Sequence, residues 1–307
     1  MSPIQYQILL MFIMMAVGFI CGKVKLITPE VNRGLANLAL MLVNPFTTFT
    51  SYQRDYSDEI ALNLVYTFGL SLVAFAIQIP ISILLIRKSR GEYPIERLSI
   101  LLSNCSYIGI PLVQSMYGRD GIIYLTAFVT VFHLVTWTYG LSLMSGERNV
   151  KKMLRNMVSP ALVAVLLGAL CFFTRIRLPE IVLTPMLRIA DMNTPIAMLI
   201  AGSTLACTDI KRALTRVSTF VICALKLLLM PLIVLAVIFS AQRFGVPSDI
   251  INVVMIAVSC PTATIITMFS HRYKKNSVYS SEIFTVCTLF SVFSIPFILW
   301  VGTLVGL

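Results

Sequence analysis

The chain has 307 residues, 58% of them hydrophobic and only 12% charged, with a mean hydropathy of +0.89. That is too little charge to cover a water-soluble domain of this length. The formal net charge of +11 follows a topological pattern rather than forming a patch, which argues against nucleic acid as a partner. The apolar runs reach about 20 residues, enough to cross roughly 30 Å of hydrocarbon as a helix. They do not alternate as barrel strands would, and a backbone in lipid must satisfy its own hydrogen bonds.

Ten spans are predicted in chain order, at roughly 5–22, 32–50, 60–86, 97–117, 121–145, 157–174, 181–206, 217–241, 248–270 and 281–305. The first has no basic n-region, so it reads as a span rather than a cleavable signal. The second carries Asn44-Pro45. The fourth holds Ser103, Asn104, Ser106, Gly109 and Pro111 near its centre, and the fifth holds His133. The seventh contains Arg188, Asp191 and Asn193-Thr194-Pro195, and the eighth contains Lys226. The ninth is interrupted by Ser259, Pro261, Thr262 and Thr264.

Basic residues orient the spans. Alternate connections, starting with the first, hold 17 Lys and Arg, including Arg90, Arg148, Lys151, Lys152 and Arg155; the remaining connections hold 5. Strict alternation supports the span count and places both termini outside, in the periplasm of a bacterial inner membrane.

An internal repeat accompanies this pattern. At an offset of 150, Gly18 meets Gly168, Cys21 meets Cys171, Pro29 meets Pro179, Glu30 meets Glu180 and Pro45 meets Pro195. Five spans per half is an odd number, so residues 1–150 and 151–307 enter the membrane from opposite sides. The expected fold is an all-α polytopic membrane protein: about ten transmembrane helices as two inverted five-helix repeats, an architecture common in secondary transporters.

Proline removes a backbone donor and clashes with the preceding turn. Unwound backbone at membrane depth is tolerated only against protein or water. Pro111 and Pro261 break the fourth span of each half, and matched interruptions of this kind point to a transport site. Candidate binding residues are Ser103, Asn104, Ser106, Asn44, Asn193, Thr262 and Thr264, with Gly109, Pro111, Pro261, Pro45 and Pro195 shaping the breaks. Simple proline kinks with small residues for helix packing are the plainer alternative. Half-helix N-termini at the midplane suit a carboxylate.

Asp191 is costly in lipid. It either pairs with Arg188 one turn away or couples transport to a proton. Lys226 either offers counter-charge to a substrate or to Asp191, or it snorkels. No enzyme motif occurs (no HExxH, GxSxG or Walker lysine), no CxxC pair suggests a metal, and no cofactor is expected. A sequence like this leaves the oligomeric state open, a homodimer included.

The segments VNPF (43–46), NCSYIGIPL (104–112), SPALVAVLLGAL (159–170), RLPEI (177–181), NTPIAMLIAGSTLA (193–206) and KLLLMPLIVL (226–235) together resemble the auxin efflux carrier family, whose bacterial members include malate and malonate permeases. The resemblance spans almost the whole chain. It implies ten spans in two inverted halves with broken crossover helices 4 and 9, a fold similar to that of bile-acid sodium symporters. It implies that Asn104, Pro111 and Pro261 hold the family's crossover positions and that the substrates are small organic anions. No acidic residue lies near the broken centre of the ninth span, which favours a proton over sodium as coupling ion. The expectation is therefore a secondary active transporter of small carboxylates working by alternating access. Two alternatives stand beside it: a membrane solute receptor or scaffold, and a sodium-coupled carrier of the bile-acid type.

Overall fold

The computed structural model describes residues 3–88, 91–146, 160–208 and 210–306. Arg90, Arg148, Lys151, Lys152 and Arg155, counted above as topological anchors, lie outside the described residues. The molecule is 84% helix, and among the described residues no strand forms. Among the described residues four helices are long and apolar enough to cross a membrane: Asp58–Leu85 (α3), Asp120–Ser145 (α6), Val217–Phe244 (α11) and Ser277–Leu304 (α14).

Shorter segments fill the intervals. They are α1 (Pro3–Lys23), α2 (29–51), α4 (Tyr93–Leu101), α5 (105–117), α7 (Pro160–Phe173), α8 (Glu180–Ala190), α9 (Asn193–Cys207), α10 (Ile210–Thr215), α12 (Ser248–Ser259) and α13 (Ile265–Arg272). Gly118, at φ 62°, turns the chain from α5 into α6 without a loop; only glycine takes that conformation at little cost.

Three prolines stand inside continuing helical segments. Pro45, Pro111 and Pro231 each follow a single wide turn, at Ala39–Val43, Cys105–Gly109 and Leu225–Leu229. A π-turn moves the carbonyl that the proline ring would strike, so the helix continues.

Packing across the membrane helices rests on close backbone approach. α1 lies along α9, with Gly18 and Gly22 facing Leu199, Ser203 and Ala206. A Cβ on Gly202 would stand 2.0 Å from the Met15 carbonyl oxygen. Small residues spaced four apart let the two backbones meet, as in membrane helix pairs generally. α7 packs likewise on the second part of α2, where a Cβ on Gly168 would meet the Tyr52 ring at 2.8 Å.

Both seams end in a matching turn. Lys25 (φ 61°) and Arg175 (φ 60°) are left-handed. In each turn an amide donates back to the helix end: Ile27 N–H to the Cys21 carbonyl at 3.1 Å, and Ile176 N–H to the Cys171 carbonyl at 2.8 Å. Such left-handed C-caps satisfy carbonyls that the helix leaves open.

Candidate functional site

α4 stops at Leu101 and helix resumes at Cys105; α12 stops at Ser259 and helix resumes at Ile265. The two unwound pieces face each other as an antiparallel bridge between Ser103 and Thr262. Asn104 N–H donates to the Pro261 carbonyl at 2.7 Å, and Ala263 N–H donates to the Leu102 carbonyl at 3.0 Å. Each break thus satisfies backbone groups that the other exposes, which a buried chain requires.

The side chains repeat the exchange. Ser103 Oγ donates to the Val258 carbonyl at 3.1 Å, and Thr262 Oγ1 donates to the Ser99 carbonyl at 2.8 Å. Each hydroxyl caps the last turn of the opposite half-helix, four residues before its bridge partner. The capping exchange is two-fold, although the breaks differ in length, 102–104 against 260–264, and one side carries a further donor. The Lys226 ammonium, on the wide turn of α11 and fully buried, donates to Ser103 Oγ at 2.6 Å and to the Val258 carbonyl at 3.3 Å. Among the described residues no carboxylate lies within 4.0 Å of it. It therefore neither snorkels nor counters Asp191; the mid-helix position is too far from either end for its stem to reach water.

Beside the bridge is a cavity of about 60 Å³. The start of α5 enters it with Asn104 and Ser106, and the start of α13 with Thr264 and Ile265; Asn44, Thr48, Ser103, Tyr107, Thr126 and His133 add to its polar lining. Both resuming half-helices therefore begin beside one space, with the positive ends of their dipoles next to it. Asn44 Oδ1, Tyr107 OH and His133 Nδ1 are buried there without a protein partner.

Of the binding residues expected from sequence, Asn44, Ser103, Asn104, Ser106 and Thr264 come together here. Thr262 is turned into the bridge. Asn193 lies behind the site, its Nδ2 donating weakly to the Ser106 carbonyl at 3.4 Å. Pro111 opens the α-helical part of α5 after Gly109, and Pro261 is a bridge residue. Pro45 follows the wide turn of α2, and Pro195 lies in the first turn of α9.

The expected ion pair between Arg188 and Asp191 is absent. Asp191 still follows the helical path as the C-cap of α8, its N–H donating to the Leu187 carbonyl at 2.9 Å, but both side chains are exposed to solvent, where such a pair gains little. Each is served by its surroundings, so neither needs the other. Asp191 instead borders a small recess with Thr47 and Gln114, apart from the bridge.

Sequence reasoning missed two buried acids, Glu96 and Glu282, at 3% and 1% exposure. Glu96 Oε1 accepts from Tyr279 OH at 2.9 Å. Glu282 meets Arg212 at 3.2 Å and Arg216 at 3.3 Å, and the Arg216 guanidinium lies 3.7 Å over the Tyr279 ring centre. This network ties α4, α14 and the start of α11 together at the end where α10 and the 273–276 turn carry their basic residues. Both acids lie at span edges, where they read as ordinary loop charge.

At the other end an open basin of about 470 Å³ is lined by Arg54, Asp55, Tyr56, Asp58, Arg175 and Arg177. Arg54 pairs with Asp120, Arg177 pairs with Asp55 at 2.6 Å, and Arg175 lies 4.8 Å over the Tyr56 ring. Tyr56 OH donates to Asp58 at 2.9 Å, and this bond holds the phenol above its ordinary pKa.

A model of the family described as membrane transport protein matches residues 3–299. The chain belongs to this family, the auxin efflux carriers. No curated protein matches the sequence. Membership makes the chain a membrane transport protein, and it puts the paired breaks and their cavity inside a protein whose task is to move a solute.

Proposed function

We propose that this auxin efflux carrier family member is a secondary active transporter of small organic anions, carboxylates above all, working by alternating access in a bacterial inner membrane. Its ten spans form two inverted halves, residues 1–150 and 151–307, with both termini outside. The observation that carries the reading is the convergence of two half-helix N-termini and Asn104 on one buried cavity. Two positive dipole ends and an amide beside one space suit a carboxylate, and a break in each half suits a site at the midplane.

Three features support the inverted halves. The α1–α9 seam and the α7–α2 seam exchange places under the 150-residue offset, with Gly18 and Gly168 at the contacts. Lys25 and Arg175, also 150 apart, share a left-handed turn. The reciprocal capping by Ser103 and Thr262 has the same two-fold character.

The cavity, at about 60 Å³, has room for a few water molecules and is too small for a dicarboxylate. This form is therefore an occluded one, and loading requires the bundle around α2 and α7 to part from the bridge. The buried network of Glu96, Tyr279, Arg216 and Glu282 closes the end nearer the basic connections. Where transport is coupled to an ion, we read that ion as a proton rather than sodium, because no acidic residue stands at the break of the ninth span.

The test is uptake of labelled malate, malonate and simple monocarboxylates into proteoliposomes, with and without pH and sodium gradients. Saturable flux driven by a pH gradient is expected. Folded protein that binds one of these acids without moving it would make it a receptor instead, and no flux or binding of any acid would remove the organic-anion assignment.

A further inference from the structure

Lys226 adds to one side of the crossover a charge that nothing on the other side matches among the described residues. Its ammonium rests on a hydroxyl oxygen, Ser103 Oγ at 2.6 Å, and on a last-turn carbonyl of a half-helix, Val258 O at 3.3 Å. Unwound hydroxyl and half-helix C-terminal carbonyl oxygens are the donor set with which broken membrane helices hold small monovalent cations, because the helix dipole adds negative charge there. Burying an ammonium costs several kcal/mol, and a carboxylate partner would be the ordinary compensation. Here no described carboxylate is within 4.0 Å, and the side chain is fully enclosed. What offsets the burial is the oxygen pair and the end of α12. The residue therefore performs the task of a bound metal ion: it neutralises the C-terminal end of one half-helix and cross-links it to the opposite break.

We infer that Lys226 is a tethered cation filling a monovalent-cation site of the crossover, so that the folded carrier needs no sodium or potassium to hold its two breaks together. The inference rests on the crossover reading given above but not on the identity of the substrate. It also gives the site a fixed positive charge one hydroxyl away from the cavity, since Ser103 both accepts from Lys226 and lines that space.

The test is thermal unfolding of the full chain in detergent, titrated with sodium chloride or methylammonium chloride against choline chloride at constant ionic strength. Wild-type protein is expected to give the same midpoint in all three. Lys226→Ala should unfold several degrees lower and recover at least half of that loss, saturably, with methylammonium or sodium. Lys226→Met, which fills the space with an apolar chain, should be destabilised and gain nothing. Saturable stabilisation of the wild type by sodium would overturn the inference, as would a Lys226→Ala protein with the wild-type midpoint and no cation response. Should Lys226→Ala not fold, the wild-type titration decides by itself. This readout uses no substrate, so its failure and the failure of the organic-anion assignment are separable.

Discussion

Ser103 and Thr262 serve each other's helix: each hydroxyl donates to the carbonyl four residues before the other, Val258 at 3.1 Å and Ser99 at 2.8 Å. The pair is 159 positions apart in sequence and joined as a backbone bridge. Thr262→Val keeps the shape and removes the donor, leaving the buried Ser99 carbonyl without it. A loss of about 1–3 kcal/mol is expected, seen as a lower unfolding midpoint, whereas Thr262→Ser should be near neutral. Equal midpoints for Val and Ser would mean that the capping bond contributes nothing.

Asn104 has a backbone role and a side-chain role that a single substitution separates. Its N–H donates to Pro261, and alanine keeps that bond while deleting the amide that lines the cavity. Asn104→Ala should fold normally and lose apparent affinity for a carboxylate by about tenfold or more, since hydrogen bonds to charged groups contribute about 1.5–3 kcal/mol. Unchanged affinity in an uptake assay would take the side chain out of the binding site.

Two glycines in helices give opposite expectations. At Gly202 a methyl group would stand 2.0 Å from Met15 O and 2.6 Å from Phe19 N, both backbone atoms that cannot yield alone. Gly202→Ala should lower stability by about 1–3 kcal/mol or more as the seam is forced apart. Gly34, in the first part of α2, has nothing within 4 Å of the same position. Gly34→Ala should raise stability by about 0.5–1 kcal/mol through helix propensity alone. Denaturation of the two variants side by side checks both signs.

The left-handed pair offers a similar contrast. A non-glycine residue in this conformation costs about 1–2 kcal/mol, and glycine removes that cost while adding about 0.5–1 kcal/mol of unfolded-state entropy. Lys25→Gly should therefore be slightly stabilising. Arg175→Gly also gives up the contact over Tyr56 at 4.8 Å, about 0.5–1 kcal/mol at an exposed site, and should come out even or slightly negative. A larger gain at Arg175 than at Lys25 would show that the stacking contributes little.

Hydropathy located the long helices well. The expected span 60–86 is Asp58–Leu85, 217–241 is Val217–Phe244 and 281–305 is Ser277–Leu304. The signal is strong there because those segments are apolar on every face. The ninth-span break was legible at Pro261, which sits among small polar residues; the fourth-span break instead falls at 102–104, ahead of Pro111, which stands inside a continuing helix because the wide turn before it takes up the ring. What could not be read was pairing between distant positions. Lys226 stood out as a charge in a span, but Ser103 is 123 residues away and nothing local to either names the other. The same holds for Glu96 and Tyr279, 183 residues apart. Asp191 misled for the complementary reason. Spacing on a helix brings it near Arg188, but both side chains are exposed, and an exposed pair gains too little to be held together.

The glycine seam between α1 and α9 constrains how this molecule can change shape. No side chain lubricates it: Gly18 faces the backbone of Leu199, and Gly202 faces the backbones of Met15 and Phe19. A slip of one residue would drive a β-carbon into a main chain, so the two helices travel as one rigid body. They are far apart in the sequence, one beginning at Pro3 and the other ending at Cys207. Under the alternating-access proposal, a moving part built on this seam would cut across residues 1–150 and 151–307, and neither stretch expressed alone would contain it whole.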